Sequence, residues 1–436
     1  MKKKIQNIIS DMDIQEILTK GFSFLSIRIG GLLMAYVFTY FVTKEYGASV
    51  FGLISLCFAL FLFSSILGRL GLDINLVRYY ASDNKWEDRG LFYRVWLKSV
   101  VFSIFLAILL YALKDIVVQE IFKKPQLEPY ILWTVLAIPF WTSSLLCASL
   151  LRAKKSNNWF AFLNNPGRFS FAVLSFLILV NLTDSPLNAI KAHFYGILAL
   201  SFLSFYFATR TLRKVSFRTR HNTWLFLRNS FPMMLSSTIL IVLGWSDTFI
   251  LGIYETDENV GIYNVALRIA AFTSFTLQAI NSILAPKLAK YHQEEKLLMF
   301  KKLIRTTTAL NFYITLGVAF SIIVLHRYLL SIFGHEFVQG SRILIILCLG
   351  QIINSVSGSV GIILQMIGKQ KIYQNIVLLA LCLNIVLNIL LIPLYGGFGA
   401  AISTVVSLAS WNIAGAIYLK TKLGIQSYYS PINFKG

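Results

Sequence analysis

The stretch FGLISLCFALFLFSSILGRLGL, residues 51–72, carries a single charge, Arg69, in 22 residues. A helix of about 20 apolar residues crosses a bilayer core about 30 Å thick, so this stretch predicts a membrane span. Eleven similar runs lie on either side of it, and the one near residue 170 is the weakest because Pro166, Gly167 and Arg168 interrupt it. The predicted spans are approximately 22–41, 51–72, 95–113, 130–151, 160–182, 187–208, 231–254, 260–284, 306–325, 343–366, 373–395 and 398–419.

Composition excludes a soluble domain, and the charge pattern orients the chain. Of 436 residues, 56% are hydrophobic and 14% are charged, with a mean hydropathy of +0.68, so the chain must be solvated by lipid.

The net charge is +21, and 31 of the 40 Lys and Arg residues fall in the alternate segments that include both termini, against 7 in the opposite loops. Cytoplasmic segments carry such an excess. We therefore expect both termini to be cytoplasmic and the positive charge to contact anionic membrane lipids, with no nucleic acid as a partner.

Cysteine and histidine positions predict no metal site, no disulfide framework and no cofactor. The four cysteines each lie inside a predicted span without paired spacing, and no two of the five histidines are four residues apart. Residues 1–20 begin with lysines and then interleave isoleucine with Asp and Gln, so they lack the apolar core of a signal peptide. An amphipathic helix on the cytoplasmic leaflet is the expected structure of this segment.

The second half of the chain repeats the first at an offset of about 210 positions. TKEYGASVFGLISL (43–56) matches IYETDENVGIYNVA (253–266), LVRYY (76–80) matches LAKYH (288–292), and EIF (120–122) matches SIF (331–333). Six spans per repeat is an even number, so both halves enter the membrane in the same orientation, as in transporters whose repeats are related by an axis along the membrane normal. The expected fold is an all-α integral membrane protein with about twelve transmembrane helices in two six-helix lobes. The predicted lobes are 21–208 and 231–420, with a basic linker at 209–230 and a cytoplasmic tail at 421–436.

Seven segments resemble one family in their order and spacing. They are EYGASVFGLISL (45–56), GLDINLVRYYAS (71–82), SDTFILGIY (246–254), VGIYNVALRIA (260–270), FGHEFVQGSRILIIL (333–347), ILQMIGKQK (363–371) and IPLYGGFGAAIST (392–404). The chain resembles the multidrug/oligosaccharidyl-lipid/polysaccharide (MOP) exporter superfamily, and within it the bacterial oligosaccharide flippases of the Wzx type.

The resemblance implies a fold, a substrate and a location. It implies the two-lobe fold of MATE transporters and a transporter without enzymatic activity. The implied cargo is an undecaprenyl-diphosphate-linked oligosaccharide repeat unit, a precursor of O-antigen, lipopolysaccharide or capsule, which moves from the cytoplasmic to the outer leaflet of a bacterial inner membrane. A polysaccharide polymerase and a chain-length regulator are the candidate partners.

Charged residues inside spans are the first candidates for function, because each costs roughly 2.5 to 3.5 kcal/mol on insertion scales. Arg28 lies about 9 Å from the cytoplasmic end of the first span, where it would bind a diphosphate or extend to the lipid headgroups. Asp247 and Arg268 are predicted at nearly equal depths in the seventh and eighth spans. Either they form a structural salt bridge, or Arg268 binds an anionic substrate while Asp247 binds a proton or cation or holds Arg268 in place.

Polar amides cluster in the second lobe, and two pairs of them share a helix face. They are Gln278, Asn281, Asn311, Gln351, Asn354, Asn384 and Asn388. The pairs are Gln351 with Asn354, and Asn384 with Asn388. If they face a groove, they would bind sugar hydroxyls. If they lie between helices, they would hydrogen-bond to other spans and need no substrate.

Two further groups lie near the ends of spans. Arg69, Asp73 and Arg78, near the cytoplasmic end of the second span, would form a gate or an interfacial charge cluster. Gly396 and Gly397 follow Pro393 at the opposite membrane face, and no lysine follows them as in a phosphate-binding loop. They are therefore predicted to form a tight turn between helices.

Two alternative functions stay open from the sequence. A cation-coupled multidrug exporter of the same superfamily would favour acidic cavity residues, whereas two of the three deep charges are arginines. A polytopic glycan polymerase or ligase would need a sizeable outer loop, and the longest outer connection is about 114–129. No nucleotide-binding motif supports an ATP-driven pump, so an ion gradient, the membrane potential or consumption of the product outside must supply the energy.

Overall fold

The computed structural model describes residues 12–81, 88–164, 166–213 and 215–430, with side chains except those of 12–25, 28, 235–237 and 282. Every regular element in these ranges is helical. The α-helices are α1 (Met12–Arg69), α2 (Leu72–Tyr80), α3 (Arg89–Ala112), α4 (Glu128–Ala153), α5 (Asn157–Asn164), α6 (Pro166–Leu182), α7 (Asn188–Leu212), α8 (Thr223–Tyr254), α9 (Asp257–Ala271), α10 (Phe275–Gln293), α11 (Leu297–Val324), α12 (His326–Ser331), α13 (Ser341–Ser357), α14 (Val360–Met366) and α15 (Gln370–Leu423). Single turns of 3-10 or π-helix lie at Ile116–Ile121, Pro125–Leu127, Phe272–Ser274 and His335–Gly340. The prediction of an amphipathic helix at 1–20 falls on residues 1–11, which lie outside the described residues, and on 12–20, whose side chains are not described.

Within the described residues, eight helices are long and apolar enough to cross a membrane, or ten when each bent pair counts as one span. Two are too long for one crossing, at 41 residues (29–69) and 54 residues (370–423), since about 20 residues suffice. A glycine with non-helical backbone divides each of them, at Gly47 (φ 75°) and Gly396 (φ 55°). At the second break the chain turns back on itself. The close approach is shown by Gly399, where an added Cβ atom would lie 2.4 Å from the carbonyl oxygen of Leu391. When each of these two helices is counted as two spans, the ten spans become the twelve that the sequence predicts.

Two spans are bent, each beside a proline. The fifth predicted span consists of α5 and α6, which meet at 50°. Pro166 opens α6 at the first helical position, where its missing N–H costs nothing, and proline disfavours helical backbone in the residue before it. In α8 the parts Thr223–Met234 and Thr238–Tyr254 meet at 54°, and Pro232 lies just before the bend. A proline inside a helix removes one backbone hydrogen bond, which explains a bend at this position.

The chain divides into two compact units, unit 1 (Met1–Val242) and unit 2 (Leu243–Gly436), with the boundary inside α8. Matching residues form corresponding parts of the two units. Leu72 and Leu76 belong to a buried apolar cluster in unit 1, and Leu284 and Leu288, 212 positions later, belong to one in unit 2. Backbone with positive φ also recurs at offsets of 211 to 213, in the pairs Lys123 and Gly334, Lys155 and Gly368, and Arg213 and Gly424. The local structure therefore repeats as the sequence does.

The segments that follow α7 in unit 1 and α15 in unit 2 each pack back onto their own unit. In unit 1, a Cβ atom at Gly90 would lie 1.8 Å from the carbonyl oxygen of Arg218, so the basic linker passes directly over the start of α3. In unit 2, Thr308 donates a hydrogen bond to the carbonyl oxygen of Ser427 at 2.9 Å, and a Cβ atom at Gly358 would lie 2.5 Å from the same oxygen. The described parts of both segments are docked against helices.

Unit 1 buries one arginine among aromatic rings. Arg168 in α6 is 6% exposed, and its guanidinium carbon lies 4.4 Å from the ring centre of Phe169 and 5.1 Å from that of Trp141, with Phe58 and Phe61 at 5.9 Å. Arg168 is one of the 31 basic residues counted in the alternate segments that include both termini, but it is buried within the unit beyond the bend at Pro166. Without it, the excess of basic residues in those segments is 30 to 7.

Candidate functional site

Asp247 is the centre of a polar site inside unit 2. It lies in α8, seven residues before the helix ends at Tyr254, and it is 3% exposed. A carboxylate so far from water is costly unless hydrogen bonds or a counter-ion stabilise it. Its surroundings are therefore the place to look for function.

Four uncharged groups donate hydrogen bonds to the Asp247 carboxylate. Asn384 and Asn388 donate from Nδ2 to Oδ1 at 2.9 and 2.6 Å. The Tyr263 hydroxyl donates to Oδ2 at 3.0 Å, and the Thr404 hydroxyl donates to the same oxygen. All of these donors are neutral, so hydrogen bonding alone stabilises the carboxylate within the unit.

The two turns at one end of unit 2 explain why these five residues meet. Asp247 and Tyr263 each lie eight positions from Glu255, in the turn between α8 and α9. Asn388 and Thr404 each lie eight positions from Gly396, where α15 breaks. Eight residues of helix rise about 12 Å, so all four lie at one depth below what we call the turn end of unit 2. Asn384 lies one helical turn deeper.

A second set of polar groups surrounds the first. Ser246 donates to Oδ1 of Asn384 at 2.6 Å, and Nδ2 of Asn384 also lies 3.3 Å from the Ser407 hydroxyl oxygen. Oδ1 of Asn388 is buried and accepts no hydrogen bond in the structure. An acceptor without a donor, close to a carboxylate, suits a proton or a small hard cation, because such cations take oxygen ligands.

Arg268 is not among the groups that contact the Asp247 carboxylate. The two residues were expected at equal depth, and this was wrong. α9 begins at Asp257, three residues earlier than predicted, since the Thr256 hydroxyl caps it by accepting from the Asn259 backbone N–H at 3.3 Å. Arg268 is therefore eleven residues into its helix, and its half-buried side chain lies about 6 Å deeper than Asp247 along the helix axis.

The second amide pair forms a separate hydrogen-bond chain. Asn354 donates to Oε1 of Gln351 at 3.3 Å within α13, and Asn412 of α15 donates to Oδ1 of Asn354 at 3.0 Å. Both predicted amide pairs thus take part in interhelical hydrogen bonds. These bonds fit the structural alternative, and the predicted role of the pairs in sugar binding stays a prediction.

The remaining charged candidates lie in unit 1. Arg28 is in α1, and its side chain is outside the described residues. Nη1 of Arg69 lies 2.8 Å from Oδ2 of Asp73, in an ion pair that spans the break between α1 and α2. Arg78 is exposed on α2. Their role as a gate stays a prediction.

Sequence reasoning missed Tyr263, Thr404, Ser246 and Ser407. Hydroxyl residues occur in many spans, so composition does not distinguish these four from others. Spacing does contain a signal. Once the turns at Glu255 and Gly396 are known, residues at equal distances on either side face one another.

Comparison with solved structures defines the class of the fold. The structure is similar to the lipid II flippase MurJ in its inward closed conformation, with a TM-score of 0.75 and 17% identity over 93% of this chain and 88% of that one. It is also similar to the inward-facing conformation of a multidrug resistance MATE family transporter of the MOP superfamily, with a TM-score of 0.73 and 13% identity over 93% and 98% of the two chains. The chain shares its fold with these two membrane transporters.

Sequence comparison gives the family. The profile of the polysaccharide biosynthesis protein family matches residues 17–292, and the MatE profile matches 232–390. The chain belongs to the polysaccharide biosynthesis protein family. It is 26% identical to the probable low-salt glycan biosynthesis flippase Agl15 of Haloferax volcanii over 90% of this chain and 81% of that protein. It is 28% identical to the capsular polysaccharide biosynthesis protein CapF of Staphylococcus aureus over 34% and 38% of the two chains.

Proposed function

We propose that the protein is a flippase that moves an undecaprenyl-diphosphate-linked oligosaccharide repeat unit from the cytoplasmic to the outer leaflet by alternating access. The observation that carries the proposal is the match of a polysaccharide biosynthesis family to 17–292 of a chain with a transporter fold. Relatives named as probable flippases, one of them of glycan biosynthesis, support it. Those names and the lack of a large loop between 114 and 129 argue against a polymerase or ligase.

The proposed orientation places both termini in the cytoplasm of a bacterium, with the protein in the inner membrane. The excess of basic residues in alternate segments supports this orientation. The lobes 21–208 and 231–420 would move against each other, and the turn end of unit 2 would face outside. A polysaccharide polymerase and a chain-length regulator would receive the product there, as in the synthesis of O-antigen or capsule.

Within this proposal, the Asp247 cluster binds the coupling ion, a proton or a monovalent cation. Its support is the carboxylate with four neutral donors and the buried acceptor of Asn388 beside it. Arg28 and Arg268 would meet the diphosphate, because arginine forms paired hydrogen bonds with phosphate oxygens. Ion binding at Asp247 would then bias the unit between two states.

A cation-coupled multidrug exporter is the second candidate, because the MatE profile matches 232–390. Deletion of the gene separates the two functions. A flippase predicts that single, unpolymerised repeat units accumulate on their lipid carrier in the inner leaflet and that surface polysaccharide is lost. Normal polysaccharide together with raised drug sensitivity would support the exporter and contradict the flippase.

A further inference from the structure

The turn end of unit 2 holds a second polar pocket, separate from the Asp247 cluster. Its volume is about 590 Å³, within the range of sites for small ligands. Three of the seven segments that carry the family resemblance contribute residues to its lining: 260–270 at the start of α9, 333–347 at the 3-10 turn that leads into α13, and 392–404 at the break in α15. The Asp247 cluster does not explain why the first two of these segments lie together.

A carboxylate in a fixed orientation forms one wall of the pocket. Oε2 of Glu255 accepts a hydrogen bond from Nδ2 of Asn259 at 2.6 Å. Its other oxygen lies against the backbone of Gly396, where an added Cβ atom would be 2.6 Å away. Gly396 has φ 55° and ψ −137°, a conformation that other residues rarely adopt. The turn is therefore shaped around the carboxylate group.

Further hydrogen-bonding groups and an aromatic residue also line the pocket. Gln339 and Arg342 line the pocket and are exposed. Tyr395 lines it from the α15 break and is 58% exposed. The lining of the pocket thus includes one carboxylate, two amides, one guanidinium and two aromatic rings, those of Tyr395 and Phe398.

This combination suits a saccharide. Sugar hydroxyls donate to a carboxylate and accept from amides and guanidinium groups, and the apolar face of a sugar ring stacks on an aromatic ring. A divalent cation would need more carboxylate or carbonyl ligands than Glu255 supplies. A diphosphate would need cations alone, and the carboxylate would repel it. The near balance of charge between Glu255 and Arg342 favours a hydroxyl-rich ligand.

We infer that this pocket is a saccharide-binding site where the glycan of the cargo rests after it crosses the membrane. The inference depends on the proposed flippase function and orientation, which make the turn end of unit 2 the release side. It adds a second glycan contact, distinct from any in the path between the leaflets. A holding site of this kind would keep the sugar outside while the lipid tail leaves the protein.

The test uses the cargo itself and the full-length protein. The probe is the free oligosaccharide that mild acid releases from the lipid-linked intermediates of a strain lacking the gene. Binding of this probe to purified wild-type protein is compared with binding to the variants Gln339→Ala and Arg342→Ala. Arg327→Ala is the control, because Arg327 is an exposed arginine on α12 that does not line the pocket.

We expect saturable binding to the wild type and to Arg327→Ala. Loss of one hydrogen bond to the glycan should weaken binding about threefold to tenfold in Gln339→Ala, and loss of a charged donor should weaken it by about tenfold or more in Arg342→Ala. Thermal midpoints equal to the wild type would show that the variants fold. Equal binding by all four proteins, or no binding to the wild type, would overturn the inference and leave the flippase proposal standing. Absence of lipid-linked intermediates from the deletion strain would instead overturn the flippase proposal, and this inference with it.

Discussion

The two units repeat one helical pattern but bury charge in different ways. In unit 1, the guanidinium of Arg168 lies among the faces of four aromatic rings. In unit 2, the carboxylate of Asp247 lies among two hydroxyls and two amides. The repeat therefore constrains the helices and leaves the polar interior of each unit free to differ.

The difference indicates separate roles for the two units. Aromatic faces attract a cation but have no group that switches between donating and accepting a hydrogen bond. The surroundings of Arg168 therefore suit a permanent positive charge. Hydroxyl and amide groups can rotate to donate or to accept, so the Asp247 cluster can accommodate both the presence and the absence of a bound ion. We therefore propose that unit 2 binds the ion and that Arg168 has a structural role in unit 1.

Removal of the Asp247 carboxyl group should have the largest effect. Asp247→Ala leaves four donors without their acceptor, and each buried unsatisfied group costs about 1 to 3 kcal/mol. We expect a loss of stability of several kcal/mol, measured as a lower thermal midpoint of the purified protein.

Asp247→Asn is the matched control for this prediction. Its new amide group can donate to Oδ1 of Asn388, which accepts no hydrogen bond in the structure, so most of the stability should remain. A midpoint for Asp247→Asn as low as that of Asp247→Ala would contradict the assigned hydrogen-bond network.

Removal of the buried charge in unit 1 should have a smaller effect. Arg168→Met keeps a long, adaptable side chain among the rings and loses the cation–π attraction, which is worth up to about 2 kcal/mol when desolvated. We expect a loss of about 1 to 2 kcal/mol in the free energy of unfolding. Arg152→Met, which removes an exposed arginine that lies over the single ring of Phe160, should change stability by less than about 0.5 kcal/mol. Equal losses of unfolding free energy in Arg168→Met and Arg152→Met would show that the four aromatic rings add no stability of their own.

The smallest effect on stability is expected at a backbone position that corresponds in the two units. Lys155 has φ 60°, and Gly368 has φ 76° at the corresponding position of unit 2. Left-handed backbone costs a non-glycine residue roughly 1 to 2 kcal/mol, so Lys155→Gly should raise stability by about 0.5 to 1 kcal/mol after the extra entropy of glycine is subtracted.

Gly368→Lys should lower stability by a similar amount through the backbone alone, because an added Cβ atom there meets nothing within 4 Å. Lys154→Gly is the control, since Lys154 has φ −79°, and it should give no gain. A gain in Lys154→Gly equal to that in Lys155→Gly would show that the effect does not arise from positive φ.

Hydropathy predicted the spans well, and it failed where a polar residue belongs to a helix. The start of α9 was placed at 260 because Asp257 and Glu258 read as loop, whereas Thr256 caps a helix that includes them. Arg168 was counted with the basic residues of the alternate segments although it falls within the predicted span 160–182. Its burial depends on the 50° bend between α5 and α6, which hydropathy does not report.

The candidate site was half visible in the sequence. Asp247 stood out because a charge inside a span is rare, and Asn384 with Asn388 stood out by their spacing. Their meeting depends on the turns at Glu255 and Gly396, which bring separate spans to one depth. Tyr263 and Thr404 could be assigned only after those turns were located, because each is an ordinary residue for a membrane helix.

In the proposed mechanism, the Asp247 cluster couples an ion to glycan movement. Its most direct test is the translocation rate of the lipid-linked oligosaccharide in proteoliposomes, followed by the accessibility of the sugar to an impermeant glycosidase, with and without an imposed proton or sodium gradient. We predict that a gradient accelerates the wild type and Arg168→Met by roughly tenfold, equivalent to about 1.4 kcal/mol, and leaves Asp247→Asn unchanged. An equal response of Asp247→Asn and the wild type to the gradient would contradict the account.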